Sequence, residues 1–346
     1  MAWQKPRFSQ KEVDDAGIVL IDPDADVFAL SDALEVVNNW RSAHYFPLNT
    51  IQNGLRLKAT KVSEQCLVAQ RIKRLSSIQQ KLKRFPKLGL SEIQDIGGCR
   101  AITKSVSQVR QLVVLYQRSS QKHELIDEDD YITNPKRSGY RSHHLIYSYQ
   151  SLNKKHVCYN DLKIEIQIRT VLQHVWATAV ETVGTFTQQA LKASTGEKEW
   201  LRFFALMGTA IACREKGPLV PNTPTNPVEL KEELRSYCDS LGVEARLQAF
   251  RKIAKYVGPF AAASGISYQL LVLDTNKGEL RLRSYANGEL EQASEAYSKI
   301  ESRIRDEKGL DAVLVSVKSL KALRRAYPNY FLDTDVFLRE VRQAIL

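Results

Sequence analysis

The chain has 346 residues with 50 Lys and Arg against 39 Asp and Glu, a formal net charge of +11; it is too long for one minimal core, and its charge favours an anionic partner. Five cysteines, Cys66, Cys99, Cys158, Cys213 and Cys238, are odd in number and never spaced C-x-x-C, which argues against a disulfide framework or a zinc ribbon. No run approaches the roughly 18 apolar residues of a membrane span, and the opening MAWQKPRFSQ has no apolar run of the kind a secretion signal needs, so a soluble, cytoplasmic protein without a membrane partner is expected.

The charge is uneven. Residues 1–50 hold four Lys/Arg against eight Asp/Glu, whereas residues 51–100 hold eleven against three. The second block suits a polyanion, with a solvated lysine-rich helix face as the alternative.

In chain order, Leu30, Leu34, Val37 and Trp40, then Leu48, Ile51 and Leu55, recur at three- and four-residue intervals, predicting two helices divided at Pro47. A further helix is predicted over residues 65–84, with Val68, Ile72, Leu75, Ile78 and Leu82 on one stripe and Arg71, Lys73, Arg74, Lys81 and Lys83 largely off it, stopped by Phe85-Pro86. CRAIT, HLIYSYQ and KIEIQIRT read as strands, and SQVRQLVVLYQRS as a helix between the first two. Long helices are expected in the stretch RTVLQHVWATAVETVGTFTQQAL and around Trp200–Cys213, followed by a proline-rich linker over 216–227. Beyond it, ISYQLLVLD, GELRLRSYANG, ELEQASEAYSKIESRIR, DAVLVSVKS and LKALRRAYPNYF predict strand, strand, helix, strand, helix.

Within KIEIQIRT, the alternation sends Ile164, Ile166 and Ile168 to one face and Glu165, Gln167 and Arg169 to the other. DIGGCRAIT adds Asp95 at the entry to a strand, then two glycines that admit close approach of a ligand, then Arg100. Two carboxylates on neighbouring strands suit magnesium-assisted phosphoryl-type transfer, with arginine and lysine spreading the developing charge. Motifs of the P-loop, of zinc proteases and of serine hydrolases are missing. The loop YITNPKRSGYRSHH sets Tyr140 among Lys136, Arg137 and Arg141, where a ring can stack on a base while cations take phosphates.

RIKRLSSIQQKLKR, DIGGCR, KRSGYRSHH and EIQIRTVLQHVWA occur in the order seen in the RelA/SpoT-type alarmone synthetase domain, which residues 50–190 resemble. The resemblance implies an α+β fold, a nucleotidyltransferase-like mixed sheet with flanking helices, in which ATP donates pyrophosphate to a ribose 3′-hydroxyl. It implies donor contacts at Arg71 and Lys73, with Arg100 stacking on adenine. Asp95 and Glu165 would be the catalytic, magnesium-holding acids, and Lys136, Tyr140 and His144 the acceptor-binding residues of the stretch called the G-loop in that family. A hydrolase domain with metal-binding histidines, present in long members of that family, is not expected here, since the stretch before residue 60 carries only His44.

The C-terminal segment, ending AYPNYFLDTDVFLREV, resembles the fused toxin–antitoxin synthetases termed CapRel, toxic small alarmone synthetases in which a pseudo-zinc-finger module and a Tyr-x-x-Tyr motif restrain the enzyme; here the motif runs Tyr327 to Tyr330. This implies a toxic synthetase domain over 1–215, a linker over 216–227, a small α+β pseudo-zinc-finger antitoxin module over 228–320 and an inhibitory segment over 321–346. It also implies pyrophosphate transfer to the 3′-CCA end of tRNA, whose acceptor stem would be bound, and a phage structural protein, such as a capsid protein, as trigger of a monomer. The alternatives are an ordinary (p)ppGpp synthetase using GDP or GTP, and an inactive RNA- or phage-protein-binding module.

Overall fold

A computed structural model describes residues 3–118, 122–187, 198–253, 255–257, 267–274, 276–286, 288–306, 309–317, 323, 326–327 and 334–346. Ser9 opens the chain's first helix with a reciprocal capping box to Glu12, and Asp26 caps the second through the amides of Phe28 and Ala29. These helices, α1 (Gln10–Ile21) and α2 (Val27–Ala43), pack with α4 (Leu75–Arg84) around Val13, Leu20, Val37, Leu75, Ile78 and Leu82. Helix α3 (Tyr45–Val62) begins after His44 and contains Pro47. The expected break at Pro47 therefore falls earlier: the ring sits in the first turn of α3, where a missing N–H costs nothing.

Residues 67–72 correct a second expectation. They form strand β1 (Leu67–Ile72), and only the residues from Leu75 on are helical. The apolar spacing over 68–82 joins a period-two segment to a helical one, and the pairing partners on either side of β1 decide between them.

The remaining strands are β2 (Gly97–Thr103), β3 (Glu124–Asp130), β4 (His143–Ser148), β5 (Lys163–Thr170), β6 (Lys255–Val257), β7 (Ser267–Asp274), β8 (Glu279–Tyr285) and β9 (Leu310–Val317). Together they make a nine-stranded mixed sheet in the order β3-β4-β5-β2-β1-β9-β7-β8-β6. β2 and β5 run parallel, β8 and β6 run parallel, and the other neighbours are antiparallel. Strands from beyond the proline-rich stretch thus continue the sheet of the first half, through pairing of Arg71 with Val315 and Gln70 with Ser316.

One face of the sheet is covered by α3, α5 (Val106–Gln117) and α10 (Leu290–Asp306), around Leu48, Ile51, Leu55, Leu112, Ile164, Ile166, Ile168, Leu290 and Tyr297. Beside the other face, α6 (Val171–Thr187), α7 (Lys198–Arg214), α8 (Pro227–Leu241), α9 (Val243–Ile253) and α11 (Asp335–Ile345) form a helical layer around Trp176, Trp200, Phe203, Phe204 and Phe337. This α+β architecture, a mixed sheet with flanking helices, is the one expected. The helix expected over LKALRRAYPNYF lies outside the described residues except for Leu323, Ala326 and Tyr327, and so does Tyr330.

Two ion pairs bind the late elements to α2 and to the segment after β1. Arg41 and Glu301 form a buried bidentate pair (2.7 and 3.0 Å), and Glu301 also accepts from the Leu75 amide at 2.9 Å, capping α4 from a distant helix. Arg41 donates further to the Lys73 carbonyl at 3.1 Å, while Arg74 pairs with Asp311.

Candidate active site

The face of β1, β2, β4 and β5 opposite α3 and α5 collects the polar side chains that the alternation sends away from that core. Registers set Gly98 beside both Arg71 and Glu165, Arg100 beside Gln167, and His144 beside Gln167 on its other flank. Arg71, Arg100, Glu165, Gln167, His144 and Arg169 therefore share one surface.

Asp95 lies just before β2, where it accepts from Lys73 and, at 2.9 Å, from Lys81. Burial alone would raise its pKa, but the two ammonium groups outweigh that and hold the carboxyl well below the usual range. Lys73 follows the end of β1 and Lys81 lies on α4, so the strand-to-helix turn delivers both lysines to one acid.

Glu165 is nearly buried. Its pKa is lowered despite burial because His144 faces it, with Asp95 opposing as a nearby like charge. His144 Nδ1 donates to Glu165 Oε1 at 2.9 Å, its Nε2 meets the Tyr140 hydroxyl at 2.8 Å, and Gln167 Nε2 donates to Glu165 Oε2 at 2.6 Å. Burial would discharge His144, yet Tyr140 and Glu165 together raise its pKa to about 9. The carboxylate oxygens of Asp95 and Glu165 are of the type magnesium prefers, with substrate phosphates completing its shell, and in this structure they are bonded to Lys73 and Lys81 and to His144 and Gln167.

The loop carrying Tyr140 is shaped by the helical layer. Gly139 has φ +93°, and a Cβ there would lie 2.7 Å from the Phe204 carbonyl and 2.9 Å from the Trp176 ring. Trp176 Nε1 donates to that same carbonyl at 2.8 Å. Arg141 does not face the site: it is buried in a pair with Glu215 at 2.6 Å, and Gln173 donates to the same carboxylate at 2.9 Å. Lys136, exposed, stands 3.9 Å from the centre of the Tyr131 ring and 5.8 Å from that of Tyr140. Tyr131 is edge-on to both Tyr140 and His144.

Arg100 is buried, and its guanidinium lies 5.1 Å from the centre of the Tyr327 ring. Tyr327 is 1% exposed, and its hydroxyl donates to the Gln70 carbonyl at 3.0 Å. Burial raises its pKa against the pull of Arg100, Arg71 and Arg169. The sequence singled out every residue of this group except Gln167 and Arg169, Lys81 as a partner of Asp95, and Tyr131. Arg169 was legible only as a polar-face residue; it is buried, gives one bond of 2.7 Å to His174, and has its pKa lowered to about 10 by burial and by Arg100.

Residues 70–188 match the family described as a region found in RelA / SpoT proteins. The GTP pyrophosphokinase YjbM of Bacillus subtilis (strain 168) is 36% identical over 116 residues, 32% of this chain and 52% of that protein. The GTP pyrophosphokinase YwaC of the same organism is 37% identical over 114 residues, 31% and 52%. The chain thus spans about half the length of the curated relatives it matches. Among solved structures, small alarmone synthetase 2 from Bacillus subtilis is similar with 23% identity over 52% of this chain and 94% of that one, at a TM-score of 0.43. Small alarmone synthetase 1 from Bacillus subtilis, bound to its product pppGpp, gives 22% identity over 51% and 89%, at a TM-score of 0.41. Strands β1 to β5 and helix α6, with the acids, the arginines and the Tyr140 loop, lie almost wholly within the residues that match this family.

Proposed function

We propose that this protein transfers pyrophosphate from ATP to a ribose 3′-hydroxyl. The observation that carries the reading is the junction of Asp95, held by Lys73 and Lys81, with Glu165, held by His144, beneath a surface bearing Arg71, Arg100 and Arg169. The acceptor hydroxyl oxygen attacks the β-phosphorus of ATP, its proton passes to Glu165, the bond between the α–β bridging oxygen and the β-phosphorus breaks, and AMP leaves. Lys73, Lys81 and the arginines stabilise negative charge as it moves along the phosphates. Asp95 and Glu165 would hold magnesium, which supplies charge neutralisation at the phosphate oxygens. Tyr140 would bear on the acceptor's base, with Lys136 and His144 beside it.

The acceptor is the 3′-CCA end of tRNA, and the protein is the self-restrained toxin of a phage-defence system. This finer reading rests on the resemblance of the C-terminal segment and on the basic exposed residues Lys83, Arg84 and Lys87 at the end of α4. The Tyr327 ring covers the guanidinium of Arg100 that would otherwise lie on adenine, so ATP and Tyr327 compete for one place. Residues 228–320 would act as the regulatory module and 321–346 as the inhibitory segment, released when a phage structural protein engages the monomer. Incubation with ATP labelled on its β- and γ-phosphates, plus either bulk tRNA or GDP, tests this. Label in tRNA that is lost by at least a hundredfold in Glu165→Gln supports the reading; label only in a guanosine tetraphosphate favours the alarmone alternative, and transfer undiminished in Glu165→Gln removes the mechanism.

A further inference from the structure

The two ends of this face differ in charge. On the donor side stand Arg71, Arg100 and Arg169, with Lys73 and Lys81 both paired to the single acid Asp95. On the acceptor side, residues 124–144 carry five acids, Glu124, Asp127, Glu128, Asp129 and Asp130, against three cations, Lys136, Arg137 and Arg141. Of those cations, Arg141 is buried against Glu215, Lys136 stands over the Tyr131 ring at the site itself, and Arg137 is exposed, so the acids remain in excess. Arg110, which reaches this edge from α5, is paired with Asp130 at 2.7 Å.

The acids divide by face. Glu128 and Asp130 turn toward α5, where Glu128 meets His143 at 2.7 Å. Asp129 lies directly opposite His144 and accepts from the Tyr131 hydroxyl at 2.6 Å. Asp127, exposed beyond a bulge in β3, accepts from its neighbour's amide at 2.9 Å and from Gln94, next to Asp95, at 3.5 Å. Among the described residues no cation pairs with Asp127. Asp129 thus borders the Tyr131 ring and His144, and Asp127 stands two residues along the same face of β3, reaching toward Gln94 beside Asp95.

We propose that Asp127 and Asp129 are specificity-determining residues that make the acceptor site reject nucleoside 5′-polyphosphates and accept a nucleoside bearing a single phosphodiester, as at the 3′ end of an RNA. This rests on the reading of the Tyr140 pocket as the acceptor site of a pyrophosphate transfer. A terminal nucleotide brings one negative charge to that side, whereas a nucleoside diphosphate brings about three, and like charges meeting Asp127, which pairs with no cation among the described residues, select for the less charged ligand.

The test uses full-length protein carrying Tyr327→Ala, alone and with Asp127→Lys or Asp127→Asn, labelled ATP, and either GDP or an RNA oligonucleotide ending in CCA. Asp127→Lys should raise kcat/KM for GDP at least tenfold, chiefly through KM, with Asp127→Asn in between. The oligonucleotide should change less than threefold and KM for ATP less than twofold, and the gain with GDP should shrink from 50 to 500 mM salt by about half or more on a logarithmic scale, since exposed charges are screened. A parallel change for both acceptors, no change for GDP, or a strong preference for GDP before any charge is altered overturns the inference while leaving the transfer reading intact. Transfer to neither acceptor overturns both.

Discussion

On the proposed competition between the Tyr327 ring and ATP, substituting Tyr327 measures how strongly the C-terminal segment holds the donor side closed. The ring is almost wholly buried, stacks with Arg100 at 5.1 Å and donates to the Gln70 carbonyl at 3.0 Å. Removing a buried aromatic ring costs about 3–5 kcal/mol, within which the cation–π contact accounts for about 1 kcal/mol and the hydroxyl bond for about 1 kcal/mol. A closed form favoured 99:1 needs about 2.7 kcal/mol, so Tyr327→Ala removes more than the closed form requires. Because apparent affinity scales with the fraction of open molecules, ATP should bind Tyr327→Ala up to about 100-fold more tightly than the unaltered chain. Tyr327→Phe keeps the ring over Arg100 and loses only the hydroxyl bond, so its gain should be about fivefold, the factor for about 1 kcal/mol. Calorimetric titration with a non-hydrolysable ATP analogue gives both numbers, and urea unfolding of the same samples confirms that they remain folded. Wild-type affinity in a folded Tyr327→Ala would refute the competition between ring and nucleotide, and equal gains for Ala and Phe would show that stacking on Arg100 contributes nothing.

Glu301→Ala leaves Arg41 buried without its partner and the Leu75 amide without its acceptor, so it should lower the unfolding free energy by about 3–5 kcal/mol in urea, whereas Arg41→Met with Glu301→Leu should recover most of the loss. His44, buried with Nδ1 donating to the Trp40 carbonyl at 2.7 Å, has its pKa lowered by burial from 6.5 to about 4. The folded state binds this proton less readily than the unfolded chain, so the stability associated with neutral His44 is complete above pH 6.5 and is lost as pH falls toward 4. About 3 kcal/mol should disappear over that window in urea titrations, and His44→Asn should flatten the slope; an unchanged slope in the variant would assign the acid sensitivity to other groups.

The sequence by itself determined the segments whose chemistry is local. KIEIQIRT alternates so strictly that both its core face and its polar face follow from the pleat, and Ile164, Ile166 and Ile168 are indeed fully buried opposite Glu165 and Gln167. Asp95, the paired glycines and Arg100 were legible for the same reason, as a short run with one turn and one strand. Tertiary structure alone decided matters that depend on what lies across the sheet. Arg71 sits on a strand, not a helix, because β2 and β9 pair with it from either side, and apolar spacing over six residues carries no record of those partners. Strand β3 escaped notice because its run of acids has little strand propensity, and its pairing with β4 outweighs that. That Lys81 reaches Asp95, that His144 is charged against Glu165, and that Tyr327 covers Arg100 are all contacts between residues from 14 to 227 positions apart. Charge and ring type were visible in the chain, but which opposite charge or ring each one meets is fixed only when distant strands are brought into register.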